Sequence, residues 1–204
     1  MGDIIKRKDI TKREDIIKSR INNAIVSIKN INNNVINAIA IVAGIIKEVI
    51  DNGNKIILMG NGGSAADAQH FTAELIGKFY HDRKSLPAIA LTTNTSIITS
   101  IANDYSYDDV FSRQVEGIGV RGDAIIGIST SGNSKNIIKA LKVSRNIGIV
   151  TIGFTGNDGG EMKKYTDYII KIPSTDTPRI QECHLIVSHI ICEIVEESFV
   201  SKKY

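Results

Sequence analysis

Tryptophan is absent, aromatic residues make up 5% of the chain, and there are three prolines and two cysteines among 204 residues. Each scarcity excludes something. Cys183 and Cys192 fall nine residues apart in one helical stretch. That is about 13 Å along the axis, too far for a disulfide, and no cysteine pair has metal-site spacing. Free thiols point to a reducing compartment. Charge of one sign is also lacking. The 25 basic and 22 acidic residues leave a net charge of +3, far short of the basic face that nucleic-acid binding needs. Part of the excess sits in Lys6-Arg7-Lys8 and Lys12-Arg13, a basic N-terminal extension with no assignable role. Long apolar runs are missing too. The longest, residues 38–46, is well below a membrane span, and no apolar core of a secretory signal follows the charged start. The expectation is a cytoplasmic protein that binds neither nucleic acid nor membrane.

What remains is an ordinary globular composition, 42% hydrophobic and 23% charged, long enough for one domain with a sizeable core. Ile17, Ile21, Ile25 and Ile28 recur at helical spacing in residues 11–29, and a second helix is expected over 35–51, closed by Asn52-Gly53. Its apolar set (Ile36, Ile39, Ala40, Ala43, Ile46, Val49, Ile50) exceeds what one sheet face requires and suits a subunit interface, with simple core packing as the alternative. From residue 53 onward, short apolar runs at 55–59, 88–91, 124–128, 149–154 and 168–172 alternate with helical patterns at 65–78, 96–102, 108–117, 136–146 and 180–197. Runs without polar alternation read as strands buried on both faces, hence parallel. The expected fold class is α/β: a three-layer, doubly wound, five-stranded parallel sheet preceded by N-terminal helices. Residues 1–52 are assigned to oligomer packing and 53–204 to the α/β core of a single domain.

Two strand exits carry loops suited to phosphate. Ser129-Thr130-Ser131-Gly132-Asn133-Ser134 offers four hydroxyls, a flexible glycine and the N-terminus of a following helix. The plainer alternative is a turn in which Ser134 merely caps that helix. Gly60-Asn61-Gly62-Gly63-Ser64 is a second such turn, matching neither a dinucleotide fingerprint nor a P-loop. Its helix carries His70 and Glu74 one turn apart on one face, a spacing that suits an acid–base pair, a metal or an ordinary surface pair. In the last helix Gln181, His184 and His189 interrupt an apolar pattern. A buried, hydrogen-bonded histidine is the default there. Gln181 and His189 lie about 12 Å apart along the axis. They share a site only if the glutamine leans in or a second subunit contributes one of them. His81 has no companion and reads as surface.

Taken together, GNGGS at 60–64, Gln69-His70-Phe71 with Glu74, STSGNS at 129–134 and Arg179-Ile180-Gln181-Glu182 with His189 resemble the phosphoheptose isomerases, or sedoheptulose-7-phosphate isomerases, of the sugar-isomerase (SIS) fold. Pro87-Ala88-Ile89-Ala90-Leu91 and Ala102-Asn103-Asp104 add to the likeness, which runs from about residue 35 to 200. The resemblance implies an aldose–ketose isomerase that converts sedoheptulose 7-phosphate to D-glycero-D-manno-heptose 7-phosphate for cell-surface glycans. It implies a homotetramer with sites at subunit interfaces and one loosely bound zinc per site. By motif match, Ser129, Thr130, Ser131 and Ser134 would hold phosphate. Asn61, Gly62, Gly63, Ser64, Asn103, Asp104 and Gln181 would contact the sugar. Glu74 would be the base and His189 the acid, and His70, Glu74, Gln181 and His189 the metal set. Lys78 departs from the pattern, since relatives often place an arginine there. Two other readings share the fold: a non-catalytic protein that binds a replication initiator, and a regulatory sugar-phosphate sensor. Retention of Glu74 and His189 opposes the first, and the absence of a helix-turn-helix pattern in the first fifty residues opposes the second.

Overall fold

The computed structural model describes residues 7–200, with side chains from residue 10, so Lys6 and the side chains of Arg7 and Lys8 lie outside it. Two helices, α1 (Arg7–Lys29) and α2 (Asn33–Asp51), precede five strands. These are β1 (Ile56–Gly60), β2 (Ala88–Ala90), β3 (Ala124–Ser129), β4 (Val150–Thr155) and β5 (Tyr168–Lys171). Between and after them run α3 (Gly63–Ile76), α4 (Thr95–Asp104), α5 (Ser112–Ile118), α6 (Lys135–Ile147) and α7 (Thr177–Phe199). All strand pairs are parallel, in the order β2-β1-β3-β4-β5. Every residue of β1 and β3 is buried, as the unbroken apolar runs require.

Alternate strand residues feed two cores. Ile56, Leu58, Ile126, Ile128, Ile152 and Phe154 pack under α2, α3 and α7, while Ile57, Met59 and Ile125 pack under α4, α5 and α6. The period of two along each strand therefore produces the three layers. In this order β2 is added on one side of β1 and β3 to β5 on the other, so the carboxyl ends of β1 and β3 open into the crevice where ligands bind in such sheets. Gly60 pairs with Ile128 in register, so the two candidate phosphate loops leave the sheet side by side.

The N-terminal elements follow their local signals. The Asn32 side chain caps α2 by accepting from the Asn34 and Val35 amides, and Gly53 leaves the helix at φ +78°. By length and composition α2 is apolar enough to cross a bilayer, but Ile39, Ala43, Ile46 and Val49 are buried in the core. Most of its expected surplus is thus core packing; Ile36 and Ile41 stay exposed. α1 is joined to α7 by Arg179, whose Nη1 donates to the Arg20 carbonyl at 2.6 Å.

One expected element is corrected. Residues 108–117 do not form a continuous helix: a 3₁₀ turn spans Tyr107–Asp109 and α5 begins only at Ser112. The Asp109 carboxylate accepts from Ser106 at 2.7 Å and pairs with Lys139 at 2.5 Å. Those bonds hold the backbone in a turn where apolar spacing alone suggested a helix.

Asp123, fully buried at the start of β3, staples the lower edge of the sheet. It accepts from the Lys55 ammonium at 2.6 Å, the Lys55 amide at 3.1 Å and the Val120 amide at 2.9 Å. Burial alone would raise its pKa, but Lys55 and the two amides outweigh burial and hold the carboxyl below the usual range. The stability this supplies is present above about pH 3.9 and is lost as pH falls through the lowered folded value. Asp123→Asn should cost about 1–3 kcal/mol in urea unfolding at pH 7, and the loss should shrink below pH 3.

Candidate active site

The loop after β3 is built to receive an anion. Ser134 occupies the N-cap of α6 but makes no capping hydrogen bond; its hydroxyl instead meets that of Ser129 at 2.9 Å. The Ser134 hydroxyl thus leaves the first amides of α6 uncapped, while Asn136 Oδ1 accepts from the Ile137 amide at 2.9 Å. The Ser131 hydroxyl accepts from the Asn133 amide at 3.1 Å, and Asn133 in turn accepts from the Glu161 amide at 2.9 Å. Gly132 sits at φ +67°, and a Cβ there would lie 2.3 Å from the Gly159 carbonyl oxygen, so the loop is clamped against residues 159–160. Thr130 and Ser131 line an open cavity of about 200 Å³ with Asp158, Ser174, Thr175 and Thr177.

The loop after β1 is equally constrained. A Cβ on Gly60 would fall 2.2 Å from the Ser64 carbonyl oxygen, and one on Gly63 would fall 2.5 Å from Gln181 Nε2. Gly63 thus lets the Gln181 side chain lie directly on the first turn of α3, and Gly62 adopts φ +56°. Asn61 and the buried Asn136 exchange two amide hydrogen bonds, both 2.9 Å, and Tyr107 donates its phenol to Asn61 Oδ1 at 3.0 Å. This network ties the β1 loop to the first turn of α6. The Asn61 side chain already has protein partners. Asn103 and Asp104 lie on the exposed end of α4 and bond each other at 2.8 Å. Ser64 is buried.

Two turns along α3, three titratable groups converge. His70 Nε2 lies 2.8 Å from His189 Nε2 and 3.5 Å from Glu74 Oε1. At 2.8 Å the two imidazole nitrogens share one proton, one ring donating and the other accepting. Phe79 flanks His189 with ring centroids 5.5 Å apart. α3 and α7 run in the same direction here, with Gly63 beside Gln181 and His70 beside His189. His70, Glu74 and His189 therefore meet within one chain, whereas Gln181 stands about 12 Å back along α7.

That separation bears on zinc. Two imidazoles and a carboxylate are suitable donors. Ligands at about 2.1 Å in tetrahedral geometry, however, require nitrogens roughly 3.3 Å apart. Among the described residues no group of three or more His, Cys, Asp or Glu side chains has metal-holding geometry. The donor types of His70, Glu74 and His189 fit such an ion, for which the two imidazole nitrogens would stand about 0.5 Å further apart than their 2.8 Å contact. Lys78 is exposed beyond the C-cap Gly77 of α3.

These features can be set beside known proteins. Residues 21–156 match the SIS domain family. The chain belongs to that family. A phosphoheptose isomerase of Aneurinibacillus thermoaerophilus is 57% identical over 157 residues, covering 77% of this chain and 79% of that protein. Phosphoheptose isomerase 2 of Campylobacter jejuni is 51% identical over 195 residues, covering 96% and 90%. The solved structure of a phosphoheptose isomerase from Neisseria gonorrhoeae superposes with a TM-score of 0.86 at 37% identity, covering 90% of this chain and 98% of that one.

Other residues that shape the site of this SIS domain were not singled out by sequence: Asn136, Tyr107, Phe79, Arg83 and Glu196. Glu196 had a signal, a lone carboxylate seven residues beyond His189 on the buried side of an apolar helix. His184 is the structural histidine the sequence suggested. It is fully buried against Phe154, with Nε2 3.2 Å from the Thr155 carbonyl. A carbonyl only accepts, so Nε2 carries the proton. Burial drives its pKa down from 6.5 to about 4, against the opposing effect of that hydrogen bond. The unfolded state therefore takes up a proton first as pH falls. The contribution is intact above about pH 6.5 and is lost progressively down to about pH 4. His184→Leu should flatten the pH dependence of unfolding free energy over that window by on the order of 3 kcal/mol.

Proposed function

We propose that this chain is a phosphoheptose isomerase, interconverting sedoheptulose 7-phosphate and D-glycero-D-manno-heptose 7-phosphate. The observation that carries the reading is the meeting of Glu74, His70 and His189 on α3 and α7, where α3 begins at one of two strand-exit loops paired in register. Its relatives at 51% and 57% identity carry that name, which favours an enzyme over an initiator-binding protein or a sensor.

In the proposed reaction Ser129, Thr130, Ser131 and Ser134 hold the phosphate with the α6 amides. The Ser129–Ser134 hydroxyl pair exchanges its mutual bond for bonds to phosphate oxygens. Gly62, Gly63, Ser64, Asn103, Asp104 and Gln181 contact the sugar, and Asn61 contributes from a side chain braced by Asn136. Glu74 removes the proton from the carbon next to the carbonyl, giving an enediol. His189 supplies a proton to the carbonyl oxygen, and His70, sharing a proton with it, keeps it supplied. Glu74 then returns its proton to C2 while the O1 hydroxyl gives its proton to His189, which forms the aldehyde carbonyl and resets both groups. One loosely held zinc per site is part of the proposal, supported by the donor types of His70, Glu74 and His189. It would polarise the carbonyl. Binding would require the two imidazoles to part and Gln181 to come from elsewhere, and no proton step above depends on it.

The assembly is proposed to be a homotetramer with sites at subunit interfaces. Exposed Ile17, Ile21, Ile25 and Ile28 on α1, with Ile190 and Ile194 on α7, support it. The buried free thiols of Cys183 and Cys192 are consistent with a cytoplasmic protein feeding heptose to surface glycans.

Proton NMR with sedoheptulose 7-phosphate in deuterated water tests the chemistry. Aldose signals should grow, with deuterium entering at C1 or C2, and Glu74→Gln should slow this by about 10²–10⁴-fold while substrate still binds. Undiminished turnover in that variant would remove Glu74 as the base. Light scattering should give a mass near four times 22.3 kDa, stable on dilution; a monomer would sink the assembly.

A further inference from the structure

Nothing in the chemistry above uses Arg83 or Glu196, yet they form a strongly desolvated ion pair, each side chain 1% exposed. Glu196 lies on α7 seven residues beyond His189, two turns on and on the same face. Its Oε1 accepts from the Phe79 amide at 2.7 Å, and its Oε2 accepts from the Tyr80 and His81 amides at 2.6 and 2.9 Å. Arg83 Nε stands 3.1 Å from Oε1, a charge contact without hydrogen-bond alignment.

The other edge of the guanidinium faces the end of α3. Nη2 donates to the Glu74 carbonyl at 2.8 Å. Nη1 reaches the carbonyls of Leu75 at 2.8 Å, Gly77 at 3.2 Å and Lys84 at 3.1 Å. Helix-terminal carbonyls lack intrahelical partners, and a planar fork can bind several at once where an ammonium cannot. The last turn of α3, which carries Glu74, is thus bonded through Arg83 and the 79–81 amides to the helix that carries His189. At the opposite end, Gln181 rests on Gly63. His70, Glu74 and His189 lie between these two fixed points.

We propose that the Arg83–Glu196 pair is a positioning device. It sets the axial register of α3 against α7, hence the placement of Glu74 relative to His189, and it holds Phe79 against the His189 ring. The proposal rests on Glu74 and His189 being the acid–base pair. A pair that only stabilised the fold by capping α3 would leave kinetics unchanged in any variant that still folds.

Arg83→Lys, Glu196→Gln and Phe79→Leu separate these cases, since Phe79→Leu leaves the ion pair intact and should fold if the others do not. Each is compared with wild type by circular dichroism, by isomerase kinetics and by ¹H–¹³C spectra of histidine-labelled protein. The expected result is kcat lowered about 10–100-fold with KM within about threefold, as misplacement near 1 Å produces. The His189 ring-current shift and the His70–His189 proximity signal should change in parallel. Folded variants with wild-type kcat and unmoved histidine signals would overturn the proposal. An inactive wild type would defeat the acid–base reading instead, and the histidine spectra would still show whether the pair sets ring placement.

Discussion

Adjacent parallel pairing of β1 and β3, with Gly60 opposite Ile128, is the constraint on which the site depends. Because these central strands are buried on both faces, a register slip would move every side chain between the two cores. That register brings two loops seventy residues apart to one edge. Asn61 and Asn136 then bond across the gap, so loop separation is set by backbone pairing and checked by a side-chain pair.

The second constraint is the packing of α3 on α7. Both helices start at the ligand edge and run away from it together. Glycine at position 63 permits close approach at one end, and the Arg83–Glu196 pair fastens the other. A carboxylate in contact with three amides and a guanidinium is costly to desolvate and costly to leave unpaired. Such a contact admits few alternative arrangements of the two helices, as a site containing a 2.8 Å imidazole contact requires. Function and fold thus share the same residues at both ends of this helix pair.

Much of this was legible beforehand. Unbroken apolar strands implied a parallel sheet, alternation with helices implied three layers, and GNGGS and STSGNS at strand ends implied the ligand edge. His70 and Glu74 shared a face by spacing alone. Periodicity misled at residues 108–117, where Ser106 and Asp109 bond locally and turn the chain. It also could not apportion the apolar surface of α2 between core and exterior, because burial depends on what the other elements leave uncovered.

By itself the sequence determined the elements, the layer architecture and which residues carry chemistry, since these follow from local periodicity and residue type. Only the tertiary structure decided the partners. It joined His70 to His189, left Gln181 two turns behind them, engaged Asn61 with Asn136, and made Arg83 and Glu196 a pair. The reason is physical: these contacts join residues 75 to 119 positions apart, and their distances are set by helix packing and strand register, which no local pattern encodes.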